Sequence, residues 1–207
     1  MMDEANFHLC GNVNSQNCRY WATENPRDID QTPLHYKNIM FWCGVASFGV
    51  IGPCFFEDEA GRAVTVNSAL YTEMLRTFPE PELQRLGVET QTLWFQQDGA
   101  TAHTARIAMR VLNQMFPARV ISRRGNIEWP ARSPDLNACN FFLWGYLKSK
   151  VYEKKPRTTE ELKQNIRDEV AAISPTMLQR VMRNFQKRLR ECVDNNGRHL
   201  TDTIFKK

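Results

Sequence analysis

Thr92–Ala105, with the sequence TLWFQQDGATAHTA, is the stretch that most constrains the fold. Its first four residues, Thr92–Phe95, mix apolar and β-favouring side chains, and two glutamines then lead to Asp98. Gly99 breaks the run, and residues 100–104 predict the opening of a helix. The pattern therefore predicts a carboxylate at the carboxyl end of a strand, where the chain turns into a helix.

The polar residues around Asp98 have the composition of a binding site for a hard cation. Oxygen ligands held on a rigid backbone suit such an ion, and the expected polar rim consists of Gln96, Gln97, Thr101 and His103. A simpler interpretation also exists, because an Asp before Gly after a strand is more often a turn or cap residue. The stretch by itself leaves both interpretations open.

Two further segments share their order with a known family. MMDEANFHLCG, residues 1–11, contains Asp3, and ARSPDLNACNFFLWG, Ala131–Gly145, contains SPDL followed by a short turn and Asn140. Together with the stretch around Asp98, these segments resemble the three motifs of mariner-like transposases, in family order and across nearly the whole chain. The resemblance implies an α/β, ribonuclease H-like fold, in which a mixed sheet is flanked by helices and followed by a helical C-terminal tail.

The same resemblance implies a chemistry and its residues. The catalytic positions are Asp3, Asp98 and Asn140, and the metal ligands are Asp3 and Asp98, for two Mg²⁺ or Mn²⁺ ions that support DNA cleavage and strand transfer. The third motif departs from the family, because Asn140 stands where the last carboxylate is expected, 42 positions after Asp98. A neutral amide coordinates a cation weakly and cannot act as a base. We therefore expect impaired or absent cleavage.

The length and composition predict one domain. With 207 residues and 42% hydrophobic side chains, the chain is large enough for one core, which we divide into a catalytic core, 1–155, and a helical extension of it, 156–207. Because the sequence starts two residues before Asp3, we expect a shortened first strand and no counterpart of the family's amino-terminal helix-turn-helix region. Six scattered cysteines without a CxxC pair predict free thiols.

Charge is distributed unevenly along the chain. The first 103 residues contain six basic and thirteen acidic side chains, and the remainder contains twenty-one and ten. A basic surface binds nucleic acid through its phosphates, so the second half is the candidate DNA-binding region, with Arg123, Arg124, Lys148 and Lys150 as candidate residues. The alternative is that these side chains only solvate turns and helix surfaces.

Other partners are expected mainly from the resemblance. The polar stretch Gly11–Lys37 corresponds to a family insertion that contributes to contacts between subunits, which suggests a homodimer. Tyr20 and Trp21 are its candidate anchors, or else a local aromatic plug. No apolar run reaches membrane-spanning length, so we expect no membrane partner, and we expect no small-molecule cofactor. The resemblance implies a nuclear location.

The secondary structure between the motifs follows from apolar periodicity and turn residues. Residues 38–47 and 50–56 predict a hairpin, with Pro53 at an edge or a bulge. A helix is predicted from Asn67 to Phe78, with Leu70 on its inward face, and Pro79 is expected to end it. The remaining expectations are a helix with Ile107 inward, a short strand at Val120 and Ile121, and packing of a loop by Trp129.

The last third of the sequence is predicted to be helical. Asp135 is expected to cap the helix that carries Asn140. Thr158 and Glu161 form a capping-box pattern, and Ser174 and Pro175 start a final helix. In that final helix we expect Leu189 to face inward and the arginines, Arg188 among them, to face outward.

Three classes of function remain open on these residues. The chain is a transposase-derived domain with impaired cleavage, or an active nuclease in which Glu4, Asp135 or a partner supplies the missing ligand. It is alternatively a non-catalytic DNA-binding or dimerisation module. A decayed element fragment without a selected role is a further alternative.

Overall fold

The computed structural model describes residues 1–10, 37–131, 133–198 and 200. These residues confirm the predicted order of three strands, helix, strand, helix, strand and helix, with one additional short helix after the first. In chain order the elements are β1 (Met2–His8), β2 (Asn38–Val45), β3 (Val50–Phe55), α1 (Ser68–Thr77), α2 (Pro79–Arg85), β4 (Phe95–Gln96), α3 (Arg106–Met115), β5 (Val120–Ile121), α4 (Trp144–Val151), α5 (Thr159–Ala171) and α6 (Pro175–Asp194).

The first three strands form an antiparallel sheet in the order β1-β2-β3. β1 pairs with β2 along its full length, and this register places Asp3 opposite Cys43. The predicted hairpin of β2 and β3 is confirmed. Its register shifts between Trp42 and Gly44, and Pro53 lies in the edge strand β3, where a missing N–H donor is tolerated.

The strand that leads to Asp98 is shorter than predicted. Residues Thr90–Thr92 form a 3-10 turn, and only Phe95 and Gln96 form β4, parallel to β5. The Phe95 and Gln97 N–H groups donate to the carbonyls of Arg119 and Ile121, each at 3.0 Å. The apolar run that suggested a longer strand includes Trp94, which is exposed. Hydrophobicity alone therefore predicted a strand that starts too early.

The helix after Asp98 also begins later than predicted. The Thr104 N–H and hydroxyl groups both donate to the Ala100 carbonyl at 3.0 Å, which closes a separate turn. Ala105 is extended, and α3 starts at Arg106. Within α3, Ile107 is exposed rather than inward. The turn therefore holds the second motif as a distinct unit between β4 and α3.

The three-stranded sheet contributes to two hydrophobic clusters. The first cluster joins Phe7 and Phe41 to residues of α4, α5 and α6, and the second joins Trp42 and Ile51 to residues of α1, α3 and β5. Leu162, Ile166 and Leu178 of the C-terminal helices belong to the first cluster. The division into residues 1–155 and 156–207 remains a prediction, and these shared contacts favour a single domain.

Capping residues were predicted well, and the inward faces of the helices less so. Asn67 accepts from the Ala69 and Leu70 N–H groups at the start of α1, and Thr158 and Ser174 cap α5 and α6. Leu70 itself is exposed, and Tyr71 takes the buried position. The predicted stop at Pro79 is also the first residue of α2, a position that tolerates proline.

The final helix α6 corrects two expectations. Arg188 is 9% exposed, and Leu189 is the exposed residue. The Arg188 Nη1 donates to the Asp135 carbonyl at 3.0 Å, and its guanidinium lies 4.4 Å from the centre of the Phe141 ring. Its Nε also donates to Asn184 Oδ1 at 2.6 Å. Three contacts made by one side chain explain why an arginine, and not the neighbouring leucine, lies on the inner face. Arg188 thereby holds the segment of the third motif.

Three further expectations concern the segment 11–37, the cysteines and membrane-spanning helices. Tyr20, Trp21 and most of Gly11–Lys37 lie outside the described residues. The cysteines at 10, 43, 54, 139 and 192 are free thiols, as predicted. Among the helices in the described ranges, none has both the length and the apolar character needed to cross a bilayer.

Candidate active site

A cavity of about 410 Å³ brings the three predicted catalytic positions together. Asp3, Asp98 and Asn140 all line it. The other residues of its wall come from the turn after β4 and from the loop between β5 and α4, and they are Gly99, Arg123, Trp129, Pro130, Ala131, Ser133, Pro134 and Asn137. Trp129 is buried and packs this loop, as predicted.

Asp3 lies near the start of β1 and is held by N–H donors. The Asn140 Nδ2 donates to Asp3 Oδ2 at 2.7 Å, and the Trp144 Nε1 donates to the same oxygen at 3.3 Å. Burial raises the pKa of Asp3 to about 6, against the opposing effect of the Trp144 hydrogen bond, and the charges of Glu4 and Asp98 add to the rise. Among the residues that the structure describes, no cation pairs with Asp3.

Asn140 reaches Asp3 because the third motif is tied to β1. Asn140 lies in a π-helical turn, Cys139–Leu143, directly before α4. The buried Asn137 donates through Nδ2 to the Met2 carbonyl at 3.2 Å and accepts from the Cys139 N–H at 3.0 Å. Asn137 thus provides the cap that was expected of Asp135, which lies in a preceding 3-10 turn. Turns of the π type are frequent at functional sites.

Asp98 has a different environment. Its Oδ1 lies 2.6 Å from His103 Nδ1 and accepts from the Ala100 N–H at 2.9 Å. Burial acts to raise the pKa of Asp98, but the hydrogen bonds from His103 and Ala100 outweigh burial and lower it. Asp98 is therefore a stable anion with a side chain that is still 45% exposed.

His103 belongs to a buried polar network rather than to the rim that was predicted. Its ring is 3% exposed, and its Nε2 lies 2.9 Å from both oxygens of Glu4. Burial acts to lower the pKa of His103, but hydrogen bonds to Asp98 and Glu4 and their charges raise it to about 10. His103 is therefore a buried cation between two carboxylates.

The network continues into the core through Gln97. Its Nε2 donates to the His103 carbonyl at 3.0 Å and to Ser122 Oγ at 3.1 Å, and its Oε1 accepts from the Tyr71 hydroxyl at 2.7 Å. The Tyr71 ring lies 4.3 Å from the His103 ring. Gln96 and Gln97 are both buried. Gln97 supports the site from behind, whereas the side-chain amide of Gln96 has no hydrogen-bond partner among the described residues.

The donor set fits one divalent ion better than two. Asp3 and Asp98 line the same cavity and offer carboxylate oxygens, which hard cations prefer. Asn140 points an N–H group, not an oxygen, at Asp3. Within the described ranges, no three Asp, Glu, His or Cys side chains are arranged to hold a metal ion. Neither Glu4 nor Asp135 lines this cavity, so neither is placed to replace the missing carboxylate.

The candidate DNA-binding residues have different surroundings. Arg123 is exposed and lines the cavity, and Arg124 donates through Nη1 to the Thr104 carbonyl at 3.2 Å. Lys148 lies over the Phe7 ring at 5.5 Å, and Lys150 pairs with a neighbouring glutamate at 2.8 Å. All four remain predictions, and Arg123 is the best placed for a phosphate in the cavity.

Two supporting features were not recognised from the sequence. One is Trp144, which donates to Asp3 and stands four residues after Asn140, the spacing of one helical turn. The other is the contact between Glu4 and His103, which are 99 positions apart. Each residue lies beside or within a motif, but only the fold brings them together.

Comparison with known proteins gives a consistent result. No family model matches the sequence. The chain is 29% identical over 199 residues to the transposable element Tc3 transposase of Caenorhabditis elegans, a match that covers 94% of the chain and 55% of the relative. The chain thus spans about half the length of this curated relative.

Solved structures show the same architecture. The Mos1 transposase paired-end complex with left transposon end superposes with a TM-score of 0.73, at 21% identity, over 96% of this chain and 55% of that chain. The Mos1 transposase catalytic domain with raltegravir and Mn gives 0.67, at 23% identity, over 79% and 78%. The chain is thus similar in sequence to a transposase, and it has the ribonuclease H-like fold of the Mos1 transposase catalytic domain.

Proposed function

We propose that this chain is a transposase-derived DNA-processing domain whose metal-dependent cleavage and strand transfer are impaired at Asn140. The observation that carries the proposal is the 2.7 Å hydrogen bond from Asn140 Nδ2 to Asp3 Oδ2. At the position of the family's third acid, the chain thus presents a neutral donor that is engaged with the first acid.

Two residues of the cavity, Asp3 and Asp98, suit metal-dependent cleavage, and Asn140 does not. Bound divalent ions would activate the attacking water or 3′ hydroxyl and stabilise the leaving oxygen of a phosphodiester. Asp98 provides an ionised carboxylate, fixed by His103, and Asp3 provides a second. Asn140 adds no negative charge and cannot take a proton from a nucleophile.

DNA as the substrate is supported by similarity and by surface charge. The Mos1 structures include a paired-end complex with a transposon end and a strand transfer complex, and others carry Mn or Mg. In this chain Arg123 lies on the cavity wall close to Gly99, where a phosphate bound beside Asp98 would meet a cation. Nuclear location and a homodimer are part of the same proposal.

Nicking of supercoiled plasmid DNA tests the proposal. We would compare the native chain, Asn140→Asp and the double variant Asn140→Asp with Asp98→Ala, in Mg²⁺ and in Mn²⁺. We expect cleavage by Asn140→Asp only, because restoring the third carboxylate restores the charge of the site. The double variant controls for a contaminating nuclease. Robust cleavage by the native chain would refute the impairment.

A second candidate function is DNA binding without catalysis. It is favoured by the exposed Arg123 in a site where the third acid is an amide. Binding through phosphates weakens steeply with salt. The expected result is salt-sensitive binding that persists in Asp98→Asn, since this substitution removes a metal-binding carboxylate and no phosphate-binding cation.

A further inference from the structure

His103 lies behind the cavity and contacts carboxylates from two distant segments. Its Nδ1 is 2.6 Å from Asp98 Oδ1, and its Nε2 is 2.9 Å from both oxygens of Glu4. Neither Glu4 nor His103 lines the cavity. The imidazole ring therefore connects β1 to the turn after β4 without entering the site.

This arrangement selects one orientation of the Asp98 carboxylate. Both the His103 ring and the Ala100 N–H bond to Oδ1. The side chain nevertheless remains 45% exposed and contributes to the cavity wall. The Oδ2 atom is consequently the oxygen that is available to a ligand in the cavity.

We infer that Glu4 and His103 form a positioning pair that orients Asp98 toward a divalent cation. His103 fixes the carboxylate through Oδ1, and Glu4 fixes the ring of His103 from its other nitrogen. The inference rests on the proposed function, because it requires Asp98 to be a metal ligand. His103 acts through Asp98 and does not touch the ion itself.

The same contacts also stabilise the core, so the two roles need a control that separates them. Tyr71 packs on the His103 ring at 4.3 Å, and its hydroxyl donates to Gln97 at 2.7 Å. Tyr71→Phe removes a buried hydrogen bond of this network and leaves both contacts of the His103 ring to carboxylates in place. It therefore perturbs the core without perturbing the orientation of Asp98.

The test is a Mn²⁺ titration of the full chain. Binding is measured as the loss of the electron paramagnetic resonance signal of free Mn²⁺. Circular dichroism first establishes that each variant is folded. Groups that orient a metal ligand contribute about tenfold to hundredfold in affinity. We expect His103→Gln to weaken Mn²⁺ binding by about tenfold or more, Glu4→Gln to weaken it by a smaller factor, and Tyr71→Phe to leave it unchanged.

The outcomes distinguish this inference from the proposed function. If Asp98→Ala weakens Mn²⁺ binding while His103→Gln and Glu4→Gln retain native affinity, the positioning role is refuted and the metal site stands. If Asp98→Ala itself has no effect, the proposed metal site fails and the inference fails with it. If His103→Gln does not fold, Glu4→Ala decides, because it removes the contact that holds the ring of His103 and leaves His103 itself in place; native Mn²⁺ affinity in Glu4→Ala would refute the positioning role.

Discussion

Asp98 and Asp3 line the same cavity in two different electrostatic environments. Asp98 contacts a buried histidine cation, which lowers its pKa, whereas Asp3 accepts from the amide of Asn140 and the indole of Trp144, and its pKa is raised to about 6. The half of the site around Asp98 keeps a complete supporting network. In the half around Asp3, the neutral side chain of Asn140 is the donor to the carboxylate.

The difference shows that loss of one charge need not disturb the fold around it. Asn140 satisfies Asp3 with a hydrogen bond, so the substitution leaves no unpaired group between the two residues. Two anions close together would each oppose the other's ionisation unless a cation bound between them. A neutral amide at position 140 adds no such repulsion to that of Glu4 and Asp98 on Asp3.

The largest expected effect comes from breaking the Asp98 half. His103→Ala removes a buried cation and leaves Glu4 and Asp98 without their shared partner. We expect a loss of about 3 kcal/mol in the free energy of unfolding, as for other broken buried ion pairs. Urea denaturation measures it. Asn140→Ala, an exposed residue of the same cavity, is the matched control and is expected to cost less than about 1 kcal/mol.

The pH dependence of stability should have opposite signs in the two halves. In metal-free buffer, the pKa of Asp3 is raised from its ordinary value of 3.8 to about 6 in the folded state. Between these two pH values the folded state binds more protons than the unfolded state, so the free energy of unfolding falls as pH rises. Asp3→Asn removes that fall. Its free energy of unfolding relative to the native chain should rise by up to about 3 kcal/mol between pH 3 and pH 7.

Asp98 supplies the opposite case. Its pKa is lowered in the folded state, so its contribution is present above 3.8 and is lost as pH falls toward the lowered value. Asp98→Asn should therefore lose stability relative to the native chain as pH rises from 3 to 7. Urea titrations at several pH values measure both variants. Equal signs for Asp3→Asn and Asp98→Asn would contradict the comparison.

The smallest expected effect concerns DNA binding by the cavity rim. Arg123 is exposed on the cavity wall, while Lys150 is paired with Glu153 at 2.8 Å. Arg123→Ala should reduce the slope of log affinity against log salt by about 1, and Lys150→Ala should change it less. Fluorescence anisotropy with duplex DNA gives both slopes. An equal reduction in the two variants would show that position at the cavity is irrelevant to binding.

The sequence allowed the fold to be predicted, and it indicated three positions that the structure brings into one cavity. Motif order indicated the family, and apolar periodicity located most helices and strands. Local sequence patterns gave the wrong burial or the wrong element length where tertiary contacts determine these features. Arg188 turns inward because it contacts the Asp135 carbonyl, the Asn184 amide oxygen and the Phe141 ring there. The strand β4 is short because only Phe95 and Gln96 pair with β5.

The supporting side of the site was less accessible to prediction. Gln97 and His103 have polar side chains, which suggested a solvent-facing rim, but complementary partners from β1, from α1 and from Ser122 after β5 allow both to be buried. No spacing in the sequence relates Glu4 to His103. A buried polar network is specified by the contacts among its members, and these form only once the chain has folded.

The number of divalent ions bound by the native chain tests the central claim most directly. A Mn²⁺ titration would compare the native chain with Asn140→Asp at pH 7, with Asp98→Ala as the control that removes the ligand site. We predict one bound ion in the native chain, held through Asp98 and Asp3, and a second ion in Asn140→Asp. Two ions bound equally tightly by both proteins would contradict it, because Asn140 would then not be the residue that limits the site.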